Sequence, residues 1–128
     1  MKAVHNCPDL FVSKKENPMD VLGLGANMVK ALRYWLPAVG LTEERVENRR
    51  RVQVFTPFGQ CVFTHDRYIE ELGTLYLIHY QLAKNQVEAT SWYFFFNEFS
   101  MSEFTKEDFV RNLQNYVSMH GESVAIRL

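Results

Sequence analysis

The chain has 128 residues, 47% of them hydrophobic, and a formal net charge of −1. That balance excludes wholesale disorder and a general polyanion binder, and it fits one domain of ordinary size with a buried core. No apolar run approaches the ~18 residues of a membrane span and no cationic-then-apolar leader is visible, so a soluble, cytoplasmic protein is expected.

The charge is unevenly spread. Residues 1–65 carry nine Lys and Arg against six Asp and Glu, whereas residues 66–128 carry five against nine. Cys7 and Cys61 form no C-x-x-C pair, and His5, His65, His79 and His120 show no short metal spacing. Neither a metal nor another cofactor is expected. No nucleophile elbow, phosphate loop or Ser/His/Asp set is visible, so the expected protein is not an enzyme.

In chain order, residues 1–7 read as a helical piece ended by Pro8. Residues 9–16 read as a loop anchored by Leu10, Phe11 and Val12. Asn17-Pro18 is a start signal, with Asn as cap and Pro at the first helical position. This short helix runs to about Leu22 and stops at Gly23-Leu24-Gly25. A second helix covers residues 26–36, with Asn27, Lys30, Arg33 and Tyr34 on one side and Val29, Leu32 and Leu36 on the other. Pro37 should end or kink it, and Gly40 is a plausible stop. Residues 41–46 and 51–55 look like short strands around the polar turn Glu47-Asn48-Arg49-Arg50.

Helix, glycine turn, second helix and two strands is the layout of a winged helix-turn-helix. On that layout the second helix would enter a major groove. Asn27, Lys30, Arg33 and Tyr34 would face bases and phosphates, while Arg49, Arg50 and Arg51 of the wing reach the backbone. The competing reading is a winged helix that packs or binds protein. Glu43, Glu44 and Glu47 lie among the arginines and would repel phosphate, as in a solvated, salt-bridged hairpin.

Thr56-Pro57 starts another helix, to about Phe63. Residues 74–84 form a helix that is apolar nearly all round and should be buried, with His79 as a satisfied core histidine and Asn85 ending it in a left-handed conformation. Cys61 reads as a small buried residue. Trp92, Phe95, Phe96 and Phe99 recur at i, i+3, i+4 and i+7, a helical face. Exposed aromatics stack bases in single-strand binders. The spacing and the acidic neighbours Glu88, Glu98 and Glu103 instead favour a core face, with Tyr93 and Phe94 off it, in a second contact layer or a subunit interface. Thr105 and Asp108 resemble a capping box before a stripe of Phe109, Val110, Leu113, Tyr116 and Val117, which Gly121 ends.

The fold class expected is mainly α with a small β wing. Residues 1–65 would be the winged-helix unit, and residues 66–128 a helical extension packed on it in one compact domain.

Several blocks also recur in one order: Leu22-Gly-Leu-Gly-Ala-Asn-Met-Val29, Leu32-Arg-Tyr-Trp35, Thr56-Pro-Phe-Gly59, Asp66-x-Tyr-Ile-Glu70, Gly73-Thr-Leu-Tyr-Leu-Ile-His-Tyr80 and Trp92-Tyr-Phe-Phe-Phe-Asn97. Together they resemble a bacterial family of unknown function encoded beside phosphoadenosine-phosphosulfate-reductase-like genes, in DNA phosphorothioation and phage-defence clusters. The chain looks like a shortened member. It has Ala26 where members tend to have Lys, and Arg67 and Tyr76 where Pro and Trp are commoner. The resemblance supplies no catalytic residues. It implies a place in a DNA-modification or defence system; joined to the helix-turn-helix reading, the expected role is a non-catalytic DNA-binding or regulatory accessory protein, with double-stranded DNA, a neighbouring DNA-modification protein or a second copy of the chain as expected partner.

Overall fold

The structure, a computed structural model, describes residues 1–120. It is mainly α with one two-stranded antiparallel hairpin, and the elements follow the expected order. Helix α1 (Lys2–Asn6) leads through a 3₁₀ turn at Leu10–Val12 to α2 (Pro18–Leu22) and α3 (Ala26–Ala38). Strands β1 (Thr42–Glu47) and β2 (Arg50–Phe55) follow, then α4 (Pro57–His65), α5 (Leu72–Lys84), α6 (Thr90–Asn97) and α7 (Lys106–His120). Two compact units result, Met1–Ile78 and a second that begins at His79, so the seam runs inside α5. No helix among the described residues is long and apolar enough to cross a membrane. The stop expected at Gly121 lies outside the described residues.

Local start signals act as their chemistry requires. Asn17 Oδ1 accepts from Met19 N–H at 3.1 Å, and Pro18 opens α2. Thr56 Oγ1 accepts from Gly59 N–H at 2.9 Å and itself donates to the Gly40 carbonyl at 2.6 Å, so the cap of α4 also ties down the end of α3. Thr105 and Asp108 close a reciprocal box: Asp108 N–H donates to Thr105 Oγ1 at 3.2 Å and Thr105 N–H to Asp108 Oδ2 at 3.1 Å. Gly23 (φ 63°) and Gly40 (φ 72°) take the left-handed conformation that ends α2 and follows α3.

The core of the first unit is Val4, Leu10, Leu36, Leu41 and Val62, with Phe11, Leu22, Leu32, Phe55 and Phe58 partly buried against it. Leu10 is 0% exposed, which makes the 3₁₀ turn an anchor for the loop that follows. Gly59 explains part of the Thr-Pro-Phe-Gly block. A Cβ there would lie 1.8 Å from the Leu41 carbonyl oxygen, so no side chain fits.

Several expectations are corrected in the second half. The α5 helix is not buried: Leu72, Leu75, Tyr76, Leu77 and Tyr80 are all exposed, and Leu82 is its buried residue. His79 is exposed rather than a core histidine, its ring edge-on to Phe96 at 4.9 Å. Asn85 is not left-handed; its Oδ1 accepts from Glu88 N–H at 3.0 Å, which turns the chain without a positive φ. Cys61 is exposed, with Sγ 3.8 Å from His65 Nδ1.

The aromatic face of α6 is reversed. Phe94 is 5% exposed and packs on Phe99, Phe109 and Tyr116, whereas Trp92, Phe95 and Phe96 are 39%, 38% and 47% exposed. Helical spacing correctly groups Trp92, Phe95 and Phe96, but it does not say which face meets the core.

Candidate nucleic-acid interface

The hairpin stands directly after α3, and its register decides where each arginine points. Glu44 pairs with Gln53, Val46 with Arg51 and Glu47 with Arg50. Opposed residues share a face and neighbours alternate. Glu44, Arg51 and Gln53 therefore lie on one face, and Arg50 and Val52 on the other. The first face meets α3. Glu44 Oε2 accepts from Arg33 Nε at 3.2 Å and from its Nη2 at 2.9 Å, while Arg51 Nη1 lies 3.5 Å from Glu44 Oε1. On the other face Arg50 Nη1 lies 3.3 Å from Asp9 Oδ2. Glu43 and Arg45 form a further ion pair along β1.

The seven candidate residues are thus dispersed in part. At 3.6 residues per turn, Asn27, Lys30 and Tyr34 fall in one stripe of α3, and Arg33 sits beside that stripe on the hairpin side. Asn27 and Lys30 are exposed and Tyr34 is half-buried. Arg33 and Arg51 converge on Glu44, and Arg50 turns toward the N-terminal segment. Arg49 stands at the hairpin tip. The three consecutive arginines do not form one clamp.

The tip is strained. Asn48 (φ 50°) and Arg49 (φ 63°) make a two-residue turn with positive φ at both positions, the type I′ geometry that matches strand twist. Asn tolerates that conformation and Gly is the usual second residue. Arg there costs on the order of 1 kcal/mol.

One contact that the residue pattern did not reveal fixes the angle between helix and wing. Pro37 lies inside α3, which runs on to Ala38 rather than ending near Leu36. Proline has no N–H for the carbonyl four residues earlier, that of Arg33. Gln53 Nε2 donates to that carbonyl at 2.9 Å, and Thr42 Oγ1 donates to Gln53 Oε1 at 3.2 Å. Gln53 is 3% exposed, a buried amide with its polar atoms engaged. The available signal was a polar residue between Val52 and Val54 together with a proline inside a helix.

Asp9 is held below the usual carboxylate range, first by a hydrogen bond from the Cys7 thiol and then by the Arg50 side chain. Burial, followed by that same hydrogen bond, pushes the Cys7 thiol up. The Asp9 carboxylate therefore sits between a neutral thiol donor and a guanidinium.

A crystal structure of magnesium ion-bound SspB superposes with a TM-score of 0.84 at 29% identity, covering 98% of this chain and 39% of that one. A second SspB crystal structure gives 0.81 at 28%, covering 96% and 39%. The chain spans about two-fifths of the length of those structures. Magnesium takes oxygen ligands. The described residues contain no group of three or more His, Cys, Asp and Glu placed to hold an ion. No curated protein matches the sequence. The family model for proteins of unknown function DUF4007 matches residues 1–127, and the chain belongs to that family.

Proposed function

We propose that the chain is a non-catalytic DNA-binding accessory module of a DNA-modification or phage-defence system, with α3 in the major groove and the hairpin on the backbone. The observation that carries this reading is Arg49, a cation kept at a strained hairpin tip where glycine would relieve the strain. The stripe of Asn27, Lys30 and Tyr34 lies on the helix that the hairpin follows. The first turn of α3 has no side-chain cap, so the positive pole of a thirteen-residue helix adds to the same field. The role in a modification or defence system is what the family resemblance implies.

The ion pairs moderate this reading without removing it. Exposed pairs of this kind are worth about 0–1 kcal/mol, which phosphate contacts can replace. Lys30 and Arg49 make no ion pair among the described residues and carry the expected contacts first. Arg33, Arg50 and Arg51 would join after leaving Glu44 and Asp9.

The test is anisotropy of a labelled mixed-sequence duplex between about 50 mM and about 200 mM salt. Affinity should fall steeply with salt, and Lys30→Ala should reduce the log–log slope by about one. Arg49→Gly should do the same while leaving thermal stability equal or higher. Glu44→Gln should tighten binding a few-fold by releasing Arg33 and Arg51. Absence of salt-dependent binding at low salt sinks the proposal.

A second reading is a partner subunit docked on the same helix. The exposed Met28 and Trp35 of α3 favour it. Binding to the product of a neighbouring gene would then resist salt and be lost in Trp35→Ala.

A further inference from the structure

The second unit holds a preformed apolar cavity that the winged-helix reading does not use. It has a volume of about 410 Å³ and is walled by Trp92, Phe95 and Phe96 of α6 with Phe104 and Phe109, and its polar members are Ser91 and Lys106. The walls brace one another. Phe95 packs on Phe104 at 5.9 Å and on Phe109 at 5.7 Å, both edge to face, and Phe104 packs on Phe99 at 4.8 Å. The volume lies in the range of ligand and anchor pockets, about 300–1,000 Å³. Clustered exposed aromatics of this kind mark contact surfaces, where rigid rings give much buried area at little entropic cost.

Charge selects the occupant. Residues 79–120 carry Lys84, Lys106 and Arg111 against Glu88, Glu98, Glu103, Glu107 and Asp108. Arg111 is paired with Asp108, and Lys84 lies over the Tyr80 ring at 5.1 Å. Of residues 103–109, Phe104, Lys106 and Phe109 line the cavity; Glu103 and Glu107, next to them in sequence, form no ion pair among the described residues, and Lys106 is the one cation of the segment. A polyanion needs several cations along its path and meets net negative charge here, so base stacking on these rings is disfavoured. A cationic, apolar segment meets complementary charge.

We propose that this cavity docks a segment of a partner protein that carries large apolar anchors flanked by Lys or Arg. An amphipathic helix presents such anchors at i, i+3 and i+4. The proposal does not depend on DNA binding by the first unit.

The test uses the full chain with Trp35→Phe, which leaves Trp92 as the single tryptophan and places the reporter in the cavity wall. Two model amphipathic peptides share one leucine pattern; one is Leu/Lys and the other Leu/Glu. An oligothymidylate is the third probe. The Leu/Lys peptide should shift Trp92 emission saturably, and the Leu/Glu peptide should bind about tenfold more weakly or less. Phe95→Ser should lose about tenfold in affinity for Leu/Lys, with unchanged circular dichroism. Glu103→Lys with Glu107→Lys, which leaves the rings intact, should weaken Leu/Lys binding, and Lys106→Glu should strengthen it. Equal binding of both peptides, undiminished binding by folded Phe95→Ser, insensitivity to the glutamate reversals, or preferential uptake of oligothymidylate would each overturn the proposal.

Discussion

The two units treat their apolar and charged residues in opposite ways. In the first, Val4, Leu10, Leu36, Leu41 and Val62 close a core, and much of the surface charge is matched: Arg33 and Arg51 on Glu44, Arg50 on Asp9, Arg45 on Glu43. In the second, Phe94 and Tyr116 are buried while Trp92, Phe95 and Phe96 stay exposed, and Glu103 and Glu107 form no ion pair among the described residues. The contrast separates two kinds of candidate surface. On the readings proposed above, one would work through oriented charge on a rigid frame, and the other through apolar area with an acidic setting.

The largest expected effect tests this contrast directly. Leu10→Ala removes a fully buried side chain and should cost about 2–5 kcal/mol in denaturant unfolding. Phe96→Ala removes a ring that is half in water and should cost about 1 kcal/mol or less. Equal costs would mean that the α6 face is a core after all, and the contrast would be broken.

Next in size is the buried amide that joins helix to wing. Gln53→Ala leaves the Arg33 carbonyl without its donor and should cost about 1–3 kcal/mol. Pro37→Ala restores an N–H within reach of that carbonyl, so the cost of Gln53→Ala should be smaller in the Pro37→Ala background. A cycle with no coupling energy would show that Gln53 stabilises the unit by packing alone.

The smallest effect is electrostatic and sits in both units. The Glu70 N–H and then the Thr74 side chain hold Asp66 below the usual carboxylate range; the N–H and then the hydroxyl of Thr105 do so for Asp108. Each folded value lies below the unfolded one of about 3.9. The stabilisation is therefore present above that pH and lost as pH falls through the folded value. Thermal melts of the native chain and Asp108→Asn should differ by a constant amount near neutrality and converge below about pH 4. A gap that ignores pH would remove the charge from the account of the cap.

Many of the element boundaries were legible from neighbouring residues. Asn17-Pro18, Thr56-Pro57 and Thr105 with Asp108 announce helix starts because a side-chain oxygen reaches an N–H two or three residues on, whatever lies around it. Gly23 and Gly40 announce stops for the same local reason. The polar turn at residues 47–50 announces the hairpin, although not that Arg49 would take a left-handed position. The candidate DNA-facing set was legible only as a list of residue types. Its division among three directions follows from the strand register, a pairing between residues up to thirteen apart.

By itself, then, the sequence determined the order of the elements, their caps and the grouping of side chains on each helical face, because dihedral preferences and short-range hydrogen bonds act within a few residues. Tertiary structure alone decided which face is covered. Period 3.6 places Trp92, Phe95 and Phe96 together with equal force whether that stripe meets a core or water, and burial turned instead on Phe94. It alone brought Glu44 to Arg33 and Gln53 to the carbonyl freed by Pro37. Such contacts join residues distant in sequence, and their geometry exists only once the chain has folded.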